Sequence, residues 1–252
     1  MITLNARLSK EGPVYGAFAK TSDPFFIEIL GKAGFDFVIL DSEHGPNSPR
    51  DIYPLILAAR VSGLMPVVRV GALSEAEIKR VLDLGPAGLQ APQISTAAQG
   101  RLLAQWSRFA PRGTRGVCRF VRAADFSLQN RADYFEDANE ITVIGMVEGV
   151  IGVRNLDEIL EVDGIDVLFI GPYDLSQALG LTGDVENPRV MEQVEIIIAK
   201  CKARNRMVGT FVDNMATAKR YKDLGVKYLA YSVDVGIFAD ACRTISNELR
   251  TL

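Results

Sequence analysis

Residues 35–46 read Phe35-Asp36-Phe37-Val38-Ile39-Leu40-Asp41-Ser42-Glu43-His44-Gly45-Pro46. The run Phe37 to Leu40 is apolar and strand-like. It empties at once into two carboxylates and a histidine, before Gly45-Pro46 breaks the strand. His44 is the only histidine in the chain. Buried strands of α/β proteins deliver reactive side chains to the rim of the sheet in this way. The flanking acids and the strand-end position favour a functional histidine over one that merely bonds a polar loop.

Outward from this stretch the same unit recurs. Strands are expected at Val14–Phe18, Phe37–Leu40, Met65–Val70, Gly88–Ala91, Ile141–Val147, Asp166–Ile170, Met207–Phe211 and Tyr228–Tyr231. Helical patterns fall between them. Asp23-Pro24 is an N-cap with proline at the first turn of a helix to about Lys32. A helix from Pro49 to Ser62 stops at Gly63. Ser74-Glu75-Ala76-Glu77 reads as a capping box for a helix to about Leu84. Others run from about Thr96 to Phe109, from an Asn155 cap to Leu160, from Pro188 to Arg204, from Met215 to Leu224 and from Ile237 to Leu249. Eight strands alternating with helices in one domain, residues 1–252, argue for a (β/α)₈ barrel. No G-x-G-x-x-G follows the first strand, so the dinucleotide fingerprint is absent. The segment Ala110–Glu140 breaks the rhythm: it is irregular, polar and carries Arg112, Arg115, Arg119, Arg122 and Arg131. Such a long insertion is either functional, an oligomer contact or a solvated loop.

Composition bounds the function. A formal net charge of −3 gives no reason to expect nucleic acid or an anionic membrane as partner. No apolar run approaches the roughly 18 residues that span a bilayer. Met1–Lys10 lacks the apolar core of a signal peptide. Cys118, Cys201 and Cys242 are scattered and odd in number, which fits a reducing, cytoplasmic compartment. With one histidine and no cysteine cluster, a metal would be held by carboxylates, and Mg²⁺ or Mn²⁺ follows.

In a barrel the active site lies at the C-terminal strand ends. Those ends carry Asp41, Glu43 and His44, then Arg69, then Glu148, and one turn beyond the sixth strand Asp174. Glu148 and Asp174 come from adjacent strands and would repel without a cation between them; the alternative is a pair of helix N-caps. Arg69 suits a carboxylate or carbonyl oxygen, or a structural ion pair with Asp41 or Glu43. Asp83 ends the third helix, and spacing alone does not bring it to the histidine. These groups fit enolate formation beside a carbonyl, with His44 as proton carrier. A Schiff base would need an interior lysine, and neither Lys20 nor Lys227 is expected at an interior strand end.

The strings FDFVILDSEHGPNS, PVVRV, RFAPRGTRGV, MVEGVIGVRNLDEIL and IDVLFIGPYDLSQALG resemble the HpcH/HpaI aldolase family of class II pyruvate aldolases, from about Val14 to Ile245. The resemblance implies His44 as acid/base in a dyad with Asp83, and Arg69 on the keto-acid oxygen. It implies Glu148 and Asp174 as ligands of Mg²⁺, Mn²⁺ or Co²⁺, with main-chain amides around Tyr173 and Asp174 on the pyruvate carboxylate. It further implies a 2-oxo acid and an aldehyde as substrates, a last helix exchanged between partners in a homohexamer, and an Ala110–Glu140 segment that reaches a neighbouring site. Three positions depart from the family pattern: Met146 replaces a glutamine, Tyr173 replaces a small residue, and Tyr231-Ser232-Val233-Asp234 replaces a glycine-containing turn. The expected activity is cleavage of a 4-hydroxy-2-oxo acid to pyruvate and an aldehyde. Its rivals are an oxaloacetate-type decarboxylase and a non-catalytic small-acid binding protein. A phosphate-binding barrel is a weaker fit, since Gly209-Thr210-Phe211 makes a poor phosphate turn.

Overall fold

The computed structural model describes residues 3–10 and 12–252; Met1, Ile2 and Glu11, and with them part of the reading of the N-terminal stretch, lie outside the described residues. Eight parallel strands close into a barrel in sequence order: β1 (Val14–Ala19), β2 (Phe37–Asp41), β3 (Met65–Arg69), β4 (Gly88–Ala91), β5 (Thr142–Val147), β6 (Val167–Ile170), β7 (Met207–Val212) and β8 (Tyr228–Val233). This is the expected (β/α)₈ barrel. Register aligns the functional ends: Asp41 of β2 lies beside Arg69 of β3, and Val147 of β5 beside Ile170 of β6.

The barrel interior is a filled core. Leu4, Leu8, Phe37, Ile39, Val67, Ile144, Val167 and Tyr228 pack there with 0 % exposure. Phe37 and Tyr228 stack with ring centroids 4.0 Å apart. Two glycines make this possible: a Cβ on Gly16 would lie 2.3 Å from the Phe37 ring, and one on Gly209 would lie 2.7 Å from Tyr228. A second apolar layer, including Leu40, Val68, Leu89, Val143 and Ile197, joins the outer faces of the strands to the helices.

Local chemistry sets most helix ends. Asp23 accepts the Phe25 N–H at 2.9 Å ahead of Pro24–Lys32, and Gly63 ends Pro49–Ser62 in the left-handed region at φ 86°. Two expected caps are not made. Glu77 turns from Ser74 to accept the N–H of Ala72, 3.3 Å away. Asn155 stands between the helices Val150–Arg154 and Leu156–Leu160, but its side chain donates to Ser95 O at 2.9 Å.

The first described helix, Leu4–Leu8, was not expected. It lies across the N-terminal end of the barrel and drives Leu4 and Leu8 into the core. The irregular segment also contains a helix, Arg131–Asn139, whose Tyr134 packs edge-on with Phe109. Three of the segment's arginines are engaged within the chain: Arg112 with Glu140, Arg115 with Asp83 and Arg122 with Leu84 O. The last helix, Asp234–Leu249, meets the barrel near Phe238, which touches Phe26 edge-on. Beyond it every residue is exposed, Ile245 and Leu249 among them. Among the described residues no helix is long and apolar enough to cross a membrane.

Candidate active site

The strand-end residues meet at the C-terminal mouth of the barrel. There a cavity of ≈ 390 Å³ is lined by Lys20, His44, Arg69, Tyr173, Asp174 and an apolar wall that includes Phe18, Phe169 and Phe211. Asp41 is the buried anchor. It accepts Arg69 Nε at 2.9 Å and Nη2 at 2.8 Å, a bidentate pair, and also the N–H groups of Glu43 and His44. Burial works to raise the Asp41 carboxyl, but the Arg69 hydrogen bonds and charge overcome it and hold Asp41 below the ordinary aspartate range. Arg69 Nη1 reaches Glu43 Oε2 at 2.9 Å, and the guanidinium lies 4.8 Å from the centre of the Phe18 ring. The structural ion pair is therefore present. Arg69 is held rigid on the cavity wall, with N–H groups on Nη1 and Nη2 left for a substrate oxygen.

His44 follows as the exposed group of the loop. Its backbone N–H is fixed by Asp41, while its side chain is 56 % exposed with Nε2 3.9 Å from Glu43 Oε2. Burial raises the Glu43 carboxyl against the pull of Arg69.

Glu148 is the most unusual group. It follows β5, is 5 % exposed, and its Oε1 accepts the N–H of Gln93 at 2.8 Å. Gln93 adopts φ 56° to make that bond, a left-handed conformation that costs a non-glycine residue about 1 kcal/mol or more. Glu148 Oε2 is buried without a hydrogen-bond partner. Burial pushes the Glu148 carboxyl up to about 7 against the Gln93 hydrogen bond, and the charges of Asp174 and Glu43 add to the rise. Asp174 lies in the first turn of the helix Pro172–Ala178, at the same mouth. A buried carboxylate oxygen with no donor, on a side chain that feels the charge of a second carboxylate, fits a hard divalent cation that keeps sites open for water and substrate oxygens. Among the described residues no cluster of three or more metal-ligating side chains occurs, so protein ligands would number two.

Asp83 is not part of this mouth. A helix that follows a barrel strand runs back to the opposite end, so the C-cap of Glu75–Leu82 is at the N-terminal end, where Arg115 Nη2 holds Asp83 at 2.7 Å. Within one chain the His44–Asp83 dyad does not form. Lys20 needs the opposite correction: β1 ends one residue later than expected, and Lys20 projects from its end to line the cavity. Tyr173, 45 % exposed, donates its phenol to Asp213 Oδ2 at 2.6 Å and meets Phe211 edge-on. Met146 takes the amide of Gln90 at 3.1 Å on its sulfur, in the buried interior. The apolar wall was unreadable in sequence, because Phe18, Phe169 and Phe211 carry the pattern of ordinary core.

A closed barrel with carboxylates, an arginine and a histidine at its C-terminal mouth defines a class of lyase site, and the comparisons give the family. The family model described as HpcH/HpaI aldolase/citrate lyase matches residues 15–241, and the chain belongs to that family. It is an enzyme of the aldolase and lyase type. The 5-keto-4-deoxy-D-glucarate aldolase of Escherichia coli (strain K12) is 34 % identical over 246 residues, covering 97 % of this chain and 95 % of that protein. Among solved structures, a HpcH/HpaI aldolase/citrate lyase family protein from Burkholderia cenocepacia J2315 superposes with a TM-score of 0.94 at 34 % identity, over 99 % of this chain and 100 % of that one. Citrate synthase SbnG superposes with a TM-score of 0.90 at 28 % identity, over 100 % and 99 % of the two chains.

Proposed function

We infer that the enzyme is a divalent-metal-dependent class II aldolase that cleaves a 4-hydroxy-2-oxo acid reversibly to pyruvate and an aldehyde. The observation that carries this reading is the buried, unpartnered Oε2 of Glu148, on a side chain that feels the charge of Asp174, at the mouth whose cavity Asp174, His44 and Arg69 line. In cleavage His44, directly or through a water, takes the proton of the C4 hydroxyl. The C3–C4 bond breaks, its electron pair passes to the keto-acid half as the enolate of pyruvate, and the aldehyde leaves. A proton returned to C3 completes pyruvate. Arg69 donates to the keto-acid oxygen, and its own orientation is kept by Asp41. The unpaired N–H groups of Tyr173 and Asp174, in the first turn of their helix, donate to the pyruvate carboxylate. Glu148 and Asp174 would hold a Mg²⁺, Mn²⁺ or Co²⁺ ion, which would supply positive charge to stabilise the enolate.

The reading includes a homo-oligomer, a hexamer on the family pattern. It is supported by the exposed apolar residues of the last helix and by Phe25, Ile29 and Val61, exposed on the helices Pro24–Lys32 and Pro49–Ser62.

The test is deuterium exchange into the methyl group of pyruvate, followed by NMR in D₂O with Mn²⁺ or Mg²⁺ and then with EDTA. Exchange that appears with metal and stops with chelator is the expected result. Binding of pyruvate without exchange would sink it in favour of a non-catalytic acid-binding protein. Exchange with carbon dioxide release from oxaloacetate, but no turnover of any aldehyde, would move the assignment to a decarboxylase.

A further inference from the structure

Lys20 has its main chain clamped from both sides. Its N–H donates to Asp234 Oδ1 at 3.0 Å, and its carbonyl accepts Asn47 Nδ2 at 3.3 Å. Asp234 is 3 % exposed and also accepts the N–H and hydroxyl of Thr21. Asn47 bonds Ser22 and the carbonyl of Asp41 as well. A residue anchored this way has the direction of its side chain set, and here that direction is into the cavity of His44, Arg69 and Asp174.

The ammonium at its tip is under-used. Its nearest carboxylate oxygen, Asp41 Oδ2, is 3.9 Å away, beyond hydrogen-bond distance. That oxygen already accepts Arg69 Nη2 at 2.8 Å. Beyond this long ion pair with Asp41, the three N–H donors of the cation have no hydrogen-bond partner at the cavity. The remaining wall offers little to an anion: Phe18, Phe169, Phe211 and Val233 are apolar, and the Tyr173 phenol is spent on Asp213. The cavity of ≈ 390 Å³ holds more than a three-carbon keto acid.

Resting on the aldolase reading above, we propose that Lys20 is a specificity residue: it pairs with an anionic group, a carboxylate or a phosphate ester, at the far end of the aldehyde half of the substrate. The acceptor aldehydes are then anion-bearing, and the Tyr173–Phe211 wall flanks the chain that joins the aldehyde carbon to that anion.

The test uses the metal-loaded full-length enzyme with pyruvate and two matched pairs of aldehydes. The pairs are succinic semialdehyde against butanal, and glyceraldehyde 3-phosphate against glyceraldehyde. The quantity read is the ratio of kcat/KM, anionic over neutral, within each pair. It cancels any loss common to both substrates, such as a shift of Asp41. In Lys20→Met this ratio falls roughly ten- to hundredfold for at least one pair, as expected for a lost charge-assisted hydrogen bond, with the change mainly in KM. Lys20→Arg restores part of it. The pair with the larger fall identifies carboxylate or phosphate as the group recognised. An unchanged ratio in both pairs overturns the assignment of Lys20 while leaving the aldolase reading intact. Absence of pyruvate methyl exchange in the unsubstituted enzyme overturns that reading, and this one with it.

Discussion

At the N-terminal end of the barrel carboxylates are matched one for one: Asp36 with Arg7, Asp83 with Arg115, Asp166 with Arg108 and Glu140 with Arg112. At the C-terminal mouth Asp41, Glu43, Glu148 and Asp174 share Arg69 and the more distant Lys20. The floor is also plugged by the helix Leu4–Leu8, whereas the mouth opens on a cavity. Residue types are the same at both ends, and the balance differs. Where acids and bases close on each other the result is fold; where an acid is left buried without a donor, a ligand is needed to complete it.

The contrast can be broken from either end. The largest effect belongs to the mouth. His44→Ala lowers kcat about 10²–10⁴-fold and leaves the thermal midpoint close to that of the parent, because the side chain is exposed and makes no hydrogen bond. Steady-state turnover and a melting curve check both halves, and near-normal turnover removes the acid/base role. At the floor the pattern inverts. Leu4→Ala, at a fully buried position, costs about 2–5 kcal/mol of stability, read from urea unfolding, with KM for the keto acid unchanged below the transition. A cost under about 1 kcal/mol would mean the helix is not a plug.

The smallest effect sharpens the comparison at the cavity wall. The hydrogen bond to Asp213, then burial and the Asp213 charge, push the Tyr173 phenol up to about 12. A carboxylate disfavours phenolate, so Asp213→Asn removes that repulsion and the titration moves down toward the ordinary tyrosine value of about 10. Phenolate absorbance, assigned by comparison with Tyr173→Phe, reads the shift. A phenol that still titrates near its former value would show that burial alone sets it.

Much of this was legible in residue order. Strand boundaries follow apolar runs, and β2 to β5 fall within a residue or so of their expected limits because buried parallel strands are nearly continuous in hydrophobicity. The strand-end rule found Asp41, Glu43, His44, Arg69, Glu148 and Asp174, since a charge ending an apolar run stands out. The Leu4–Leu8 helix has only two buried residues four apart, too few to make a period, and its stability comes from docking. Arg131–Asn139 is polar on nearly every face. Lys20 was missed because one residue of strand length decides whether a side chain lines the mouth; Asp83 was paired with His44 by resemblance alone, since spacing says nothing of which end of the barrel a helix terminus occupies.

Gly171 shows how a motif can be misread. Its φ is −93°, which any residue adopts, so the turn does not require glycine. A Cβ there would lie 2.4 Å from Glu148 Oε2. The glycine of Gly171-Pro172-Tyr173-Asp174 is thus an imprint of a carboxylate located 23 positions earlier in the chain. In comparing related sequences it serves as a filter: a chain with alanine at this position cannot hold its glutamate in this pose, whatever the rest of the motif spells.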